Sequence, residues 1–224
     1  MTIDQWPAEQ RPRERLIAEG AQHLSDAELL AVFLRTGVTG RTAVDLSRDL
    51  LNRFGSMRGL LAADISDFCQ INGLGPAKWA VLQAAVEMIR RSLADELRTS
   101  DALTTPLAVR RFLTLWLRER PQEVFAVLFL DSQHRLILAE ELFHGTLTQT
   151  AVYPREVARR ALRVNAGAVI LAHNHPSGVA QASAADRLLT DSLKATLAAL
   201  DVPVLDHLIV AGNASLSFAE RGWL

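Results

Sequence analysis

The hydrophobic positions follow two different patterns along the chain. In the first half they recur every three or four residues, which predicts helices throughout. A capping box, Ser25-Asp26-Ala27-Glu28, precedes the apolar run 29–34, and 42–46 begins another helix. Pro76 suits the first turn of a long helix that ends near Leu97. These helices and turns predict a compact all-α bundle.

After residue 106 the pattern changes to strands that alternate with helices. Short runs rich in Val, Leu, Ile and Phe indicate strands, and longer segments between them favour helices. The predicted strands are 125–130, 135–142, 168–172 and 204–210, and the predicted helices are 107–118, 154–164 and 186–200. A polar, turn-prone stretch at 99–106 separates the two patterns. We therefore expect two domains, 1–98 and 102–224, of which the second is mixed α/β.

Composition indicates an ordinary globular protein. Of the 224 residues, 49% are hydrophobic and 22% are charged, and the formal net charge is −1, so global charge gives nucleic-acid binding no support. Cys69 is the single cysteine, which excludes an internal disulfide and a multi-cysteine zinc site. The sequence shows neither a signal-peptide pattern nor an apolar stretch of about 18 residues. We expect a cytoplasmic protein with no membrane partner.

The strongest chemical signal follows the third predicted strand. His173 and His175, at positions i and i+2, would project to the same side, and Pro176-Ser177-Gly178 then ends the strand. Ser183 and Asp186 open the next helix, so the carboxylate would lie in its first turn. Two imidazole nitrogens and one carboxylate oxygen suit zinc and leave a fourth position for water. Taken alone, Ser183 and Asp186 also match a capping box with no chemical role.

Two other kinds of His-x-His metal site do not fit this chain. Amidohydrolases place the motif on the first strand of a large barrel, which needs about 250 residues after it, whereas 49 residues follow His175 here. Cupins need an all-β chain, which the helical patterns exclude.

The string His173-Asn174-His175-Pro176 with Ser183 and Asp186 resembles the JAMM (MPN+) metallopeptidase signature, His-x-His-Pro-x(6)-Ser-x-x-Asp, at every named position. Further segments resemble the RadC family, historically called DNA repair proteins, over nearly the whole chain. These segments are 129–131, 140–146, 154–157, 205–207 and 218–223. The resemblance implies a three-layer JAMM/MPN domain of the cytidine-deaminase-like type and a Zn²⁺ ion held by the two histidines and the aspartate.

The resemblance also implies a catalytic base and an oxyanion donor. JAMM peptidases pair the metal with a glutamate just before the first core strand, and Glu123 fits this order. Glu141 is the rival, and outside this motif a glutamate before a strand is usually a solvated charge. The serine that matches Ser183 donates a hydrogen bond to the oxyanion. Asp206-His207 is interpreted as structural rather than as orienting a ligand histidine, and His144 as structural.

In the first domain, 71–78 resembles the hairpin of a helix-hairpin-helix module. Gly73 and Gly75 allow a tight turn, and Lys78 would add charge beside helix N–H groups that can bind a DNA or RNA phosphate. The competing interpretation is simple turn chemistry or a protein contact. The second domain also carries a basic helix face, which is usually only solvated, formed by Arg155, Arg159, Arg160 and Arg163.

Two functions follow from these features. The first is a zinc-dependent metallopeptidase or isopeptidase, a hydrolase that cleaves an amide bond of a protein or peptide substrate with zinc-activated water. The second is a nucleic-acid-binding accessory protein of DNA repair or recombination, in which the metal site is structural or vestigial. The complete ligand set together with Ser183 favours the first function, and the historical family name favours the second.

Overall fold

The structure is a computed structural model that describes residues 3–102, 105–145 and 151–224, with the side chain of Asp4 also left out. Leu103 and Thr104 of the predicted linker, and Thr146 of a family-like segment, lie outside the described residues. Among the described residues, no helix combines the length and the apolar character that crossing a bilayer requires.

The amino-terminal part is helical, as its hydrophobic period predicted. Its helices are α1 (Pro12–Glu19), α2 (Asp26–Leu34), α3 (Ala43–Phe54), α4 (Met57–Leu61), α5 (Ile65–Cys69) and α6 (Pro76–Thr99), with 3-10 turns at Ile3–Gln5, Ala8–Gln10 and Ala21–His23. One hydrophobic cluster joins α2 to α6 and includes Leu30, Leu46, Leu50, Leu60, Phe68 and Leu82. The name helix-hairpin-helix for this part stays a prediction.

Side-chain caps set where two of these helices begin. Ser25 accepts a hydrogen bond from the backbone N–H of Glu28, whose carboxylate accepts from the Ser25 N–H at 2.9 Å. Thr42 and Asp45 form the same reciprocal pair ahead of α3. Such boxes satisfy N–H groups that have no partner inside the helix. Gly55 ends α3 in the left-handed conformation, with φ 76°.

The carboxy-terminal part is a sheet with helices on both faces. Helix α7 (Pro106–Leu117) comes first, and the sheet has the strand order β2-β1-β3-β4-β5. The remaining elements are β1 (Val124–Leu130), β2 (Leu136–His144), α8 (Pro154–Arg163), β3 (Ala168–Asn174), α9 (Ala184–Ala198), β4 (Val204–Ala211) and β5 (Ala214–Ser217). Only β3 and β4 are parallel among the recorded strand pairs of the described residues.

Strand alternation divides the core of this part into two clusters. Ala126 and Leu128 of β1 pack with α7 and the end of α6. Phe125, Val127 and Phe129 face the other way and pack with α8 and α9. Successive residues of a strand point to opposite faces, so a seven-residue run that is buried throughout needs a helical layer on each side. The mixed α/β class is as predicted, whereas the cytidine-deaminase-like name stays a prediction.

Contacts divide the chain into two compact units, Met1–Met88 and Ile89–Leu224, with the division inside α6. The predicted domain limits, 1–98 and 102–224, stay a prediction beside this division.

Candidate metal centre

The β3 strand presents the two predicted histidine ligands. His173 lies within β3, and the backbone N–H of His175 donates to the carbonyl of Val210 at 2.8 Å, which continues the pairing with β4 past the end of the strand. The backbone therefore stays extended over both histidines, and their side chains leave the same face of the sheet. That face is the one that α8 and α9 cover.

Helix α9 supplies the carboxylate. Ser183 caps this helix, and its hydroxyl accepts from the Asp186 N–H at 3.1 Å. In return, Asp186 Oδ2 accepts from the Ser183 N–H and from the Ser183 hydroxyl, both at 2.7 Å. The capping box expected from the spacing is thus present. It fixes the carboxylate of Asp186 and directs it towards the end of β3.

Three side chains bring ligand atoms to one point. His173 Nε2 lies 3.0 Å from His175 Nε2 and 3.4 Å from Asp186 Oδ1, and His175 Nε2 lies 3.8 Å from Asp186 Oδ2. A tetrahedral zinc ion with bonds of about 2.0–2.2 Å separates its ligand atoms by about 3.3–3.6 Å. The observed distances bracket this range, so His173, His175 and Asp186 fit a tetrahedral ion.

Hydrogen bonding and burial leave both imidazoles able to bind a cation. His175 Nδ1 lies 2.9 Å from the carbonyl oxygen of Val179. Because a carbonyl only accepts, Nδ1 of His175 carries the hydrogen and its Nε2 offers a lone pair. Burial lowers the pKa of His173 from 6.5 to about 4, against the opposing effect of the Asp186 charge. His173 is therefore neutral near pH 7, as a metal ligand must be.

A second buried histidine, His207, contacts the buried His173. His173 Nδ1 lies 2.8 Å from His207 Nε2, and His207 Nδ1 lies 2.7 Å from the hydroxyl of Thr190. His207 is fully buried, which lowers its pKa well below 6.5. The structural interpretation of His207 stays a prediction, and the structure adds that this residue contacts a proposed ligand. Asp206 instead binds the hydroxyl of Ser217 at 2.6 Å.

The sequence patterns indicated neither Thr190 nor the contact of His207 with His173. His207 directly precedes the apolar end of β4, where Leu208, Ile209 and Val210 are all buried, and its place beside this buried run was the available signal. Thr190 follows Asp186 by one helical turn, but a threonine at this spacing is common in helices. The hydrogen-bond partners of Thr190 and His207 become evident only once the parallel pairing of β3 with β4 is known.

Strand register supports a position for Glu123 at the same end of the sheet. Phe125 pairs with His173 across β1 and β3, and their rings stack with centroids 6.4 Å apart. Glu123 precedes Phe125 by two residues, and its carbonyl accepts from the Gly145 N–H at 2.8 Å, which continues the pairing of β1 with β2 past the start of β1. Strand alternation therefore favours a position of Glu123 on the same face as Phe125, level with His175. Glu123 is half-buried.

The rival Glu141 lies on the other face. It pairs with Ala126, whose side chain belongs to the α7 cluster. Its carboxylate forms an ion pair with Arg120 and lies 3.9 Å from His144 Nε2. These contacts hold Glu141 on the face opposite to the ligand histidines.

The predicted nucleic-acid contacts of the first unit lie in a tight turn. Gly73 has φ 88°, and a Cβ atom there would come within 1.9 Å of Val38 Cγ1. The Lys78 ammonium donates to the carbonyls of Thr36 at 2.9 Å and Gly73 at 3.0 Å, and burial lowers its pKa. Lys78 thus joins the turn to the loop after α2, and the phosphate contact of Gly73, Gly75 and Lys78 stays a prediction.

The chain matches two known families. Residues 103–223 match the RadC-like JAB domain, and residues 3–80 match the UPF0758 N-terminal family. Proteins named UPF0758 protein are similar over the full length. Those of Aeromonas hydrophila subsp. hydrophila and Janthinobacterium sp. are each 58% identical over 224 residues, which is 100% of both chains. That of Nitrosomonas eutropha is 58% identical over 222 residues, or 99% of each chain. These names specify no reaction.

Proposed function

The chain belongs to the RadC-like JAB domain family, as its motifs predicted, and on this premise we propose that it is a zinc-dependent hydrolase of amide or isopeptide bonds. One observation carries the proposal. Ligand atoms of His173, His175 and Asp186 all lie within 4.8 Å of one another, and their spacings bracket those around a tetrahedral ion. Three protein ligands leave the fourth position that a hydrolytic site needs.

His173, His175 and Asp186 would hold the ion, and the ion would supply a Lewis acid and a bound water whose pKa is lowered to about 7. The carboxylate of Glu123 would take the proton of that water and return it to the leaving amine. The register of β1 against β3 supports this role, because it puts Glu123 on the histidine face. The pairing of Glu141 with Arg120 on the other face argues against the rival.

The Ser183 hydroxyl would stabilise the oxyanion. Its oxygen is held by the Asp186 N–H, while its hydrogen is directed at Asp186 Oδ2. Rotation about the Cβ–Oγ bond redirects that hydrogen without moving the oxygen, so capping and oxyanion binding are compatible roles of one hydroxyl. A single oxyanion donor contributes about 3 kcal/mol to the transition state in acyl transfer.

The decisive experiment compares wild type with Glu123→Gln and, as a matched control, Glu141→Gln. Each full-length protein is analysed for zinc and screened against a library of peptides and isopeptide-linked peptides. We expect all three to bind about one equivalent of zinc. Glu123→Gln should lose at least about 10²-fold in turnover, whereas Glu141→Gln should retain it.

Each other result has a definite meaning. Full activity in Glu123→Gln with loss in Glu141→Gln would transfer the base to Glu141. Wild type that binds no zinc and cleaves nothing would refute the hydrolase proposal. Binding of DNA at low salt, weakened by Lys78→Glu, would then support the nucleic-acid alternative, which the net charge of −1 does not favour.

A further inference from the structure

We propose that His207 and Thr190 are positioning residues that fix the tautomer of His173, so that its Nε2 atom stays unprotonated and directed at the metal centre. The inference rests on the proposed zinc site. It concerns two residues that contribute none of the three ligand atoms.

The direction of each hydrogen bond follows from Thr190. This threonine lies in α9, one turn after Asp186, and is 1% exposed. Its hydroxyl lies 2.6 Å from the backbone carbonyl of Asp186 and 2.7 Å from His207 Nδ1. The carbonyl can only accept, so the single hydroxyl hydrogen of Thr190 is donated to Asp186. Towards His207 the hydroxyl must therefore accept, and Nδ1 of His207 carries a hydrogen.

The same logic extends to the ligand. His207 is completely buried, and its two ring nitrogens face the Thr190 hydroxyl and the His173 imidazole. Because these partners are uncharged, a buried positive ring is disfavoured, and a hydrogen on Nδ1 leaves a lone pair on Nε2. That lone pair faces His173 Nδ1 at 2.8 Å, and His173 must be the donor. With its hydrogen on Nδ1, neutral His173 offers a lone pair at Nε2, the atom that lies 3.4 Å from Asp186 Oδ1.

The series of contacts closes on itself. It starts at the main-chain carbonyl of Asp186, passes through Thr190 and His207 to His173, and returns to the carboxylate of Asp186. It therefore links β3, β4 and α9, the three elements that converge on the site. Without it, neutral His173 could carry its hydrogen on Nε2, where it would point at the ion and compete with it.

Thr190→Val separates positioning from mere packing. Valine has nearly the shape of threonine but accepts no hydrogen bond. In this variant the Nδ1–H group of His207 therefore loses its acceptor, and the tautomer with the hydrogen on Nδ1 is no longer favoured. A hydrogen moved to Nε2 of His207 would oppose the one on His173 Nδ1 and shift that tautomer as well. We expect the zinc affinity to fall on the order of 10- to 100-fold, as on removal of other groups that orient metal-bound histidines.

Thr196→Val is the matched control. Thr196 lies on the same helix, and its hydroxyl donates to the carbonyl four residues earlier, that of Ser192, at 2.8 Å. Zinc affinity is measured by competition with a chromophoric chelator on the full chain. Thr196→Val should bind zinc as wild type does. Thr190→Val within twofold of wild type, when wild type itself binds zinc, would overturn the inference and leave the proposed function intact.

A second measurement needs no metal. Long-range ¹H–¹⁵N spectra of the zinc-free protein should show both His173 and His207 as Nδ1–H tautomers. His207→Gln, whose amide oxygen can accept at the position of Nε2, should recover zinc affinity relative to His207→Leu. An Nε2–H tautomer of His173 in zinc-free wild type would refute the positioning role. A wild type that shows the expected tautomers yet binds no zinc would instead refute the proposed function.

Discussion

Replacement of Asn174 by alanine tests how the strand that carries the ligands also positions the proposed base. Asn174 lies between the two ligand histidines, points to the opposite face and is 1% exposed. Its Oδ1 accepts from the Val124 N–H at 2.8 Å, and its Nδ2 donates to the carbonyls of Gln122 at 3.0 Å and Arg120 at 3.3 Å. One amide therefore fastens the segment that contains Glu123.

The cost of Asn174→Ala follows from which partners lose contact with water. The Val124 residue is buried, so its unpaired N–H costs about 1–3 kcal/mol. Arg120 and Gln122 lie at the surface, where water can replace the lost donor. The loss of hydrogen bonds to their carbonyls therefore costs less free energy than the loss at Val124. With the small void left by the amide, we expect the free energy of unfolding of the carboxy-terminal unit to fall by about 2–4 kcal/mol.

Two assays follow the change in stability. Urea denaturation gives the free energy of unfolding, and hydrogen exchange at the Val124 amide should become faster in Asn174→Ala. The control is Asn213→Ala, since Asn213 is exposed and its Oδ1 accepts from Arg118 at the long distance of 3.4 Å. That control should change stability by no more than about 0.5 kcal/mol. Equal urea midpoints for the two variants would refute the assigned role of Asn174.

Activity gives the functional half of the prediction. Because the ligands leave the other face of the strand, Asn174→Ala should retain about one equivalent of zinc. Loss of the hydrogen bonds of the Asn174 amide should still shift Glu123. A displacement of about 1 Å costs on the order of 10²-fold in turnover. Lost zinc with unchanged turnover per bound ion would contradict this reasoning.

Three further predictions concern the glycine turn, the lysine and the ion. Gly73→Ala should destabilise the amino-terminal unit by about 3 kcal/mol in urea denaturation, because φ is positive there and the added Cβ atom would meet Val38. The control Gly40→Ala has φ 81° but open space around the added Cβ atom, and it should cost about 1–2 kcal/mol in the same assay. Lys78→Met should lower the stability of that unit by about 1 kcal/mol through its two lost carbonyl contacts, and unchanged melting would refute this. Free zinc at about 100 times its Kd should stabilise the carboxy-terminal unit by about 2.7 kcal/mol relative to chelator-treated protein, with calorimetry showing no change in the other unit.

Local signals in the sequence were sufficient for most elements. The capping residues Ser25 and Ser183 begin helices as predicted, and Pro76 starts α6. The apolar run 168–172 is a strand, although β3 extends through Asn174, so that His173 lies inside it. Each of these features depends on residues close together in sequence, where propensity and hydrogen bonding act directly.

Features that depend on strand pairing could not be predicted in the same way. The four residues of β5 are too few to show a period, and that strand forms by pairing with β4. The contact of His207 with His173 requires the parallel pairing of β4 with β3, and the exclusion of Glu141 from the histidine face requires the pairing of β2 with β1. Register arises from the packing of the whole sheet, so the motif predicted the proposed ligands but not the buried residues that contact them.

The most direct test of the metal centre is crystallographic. Diffraction data collected on either side of the zinc absorption edge, from full-length protein grown with zinc, give the position of the ion. We predict one anomalous peak within about 2.2 Å of His173 Nε2, His175 Nε2 and an Asp186 carboxylate oxygen, and no peak there in His173→Ala. A zinc-saturated crystal with no peak between these three side chains would contradict the account.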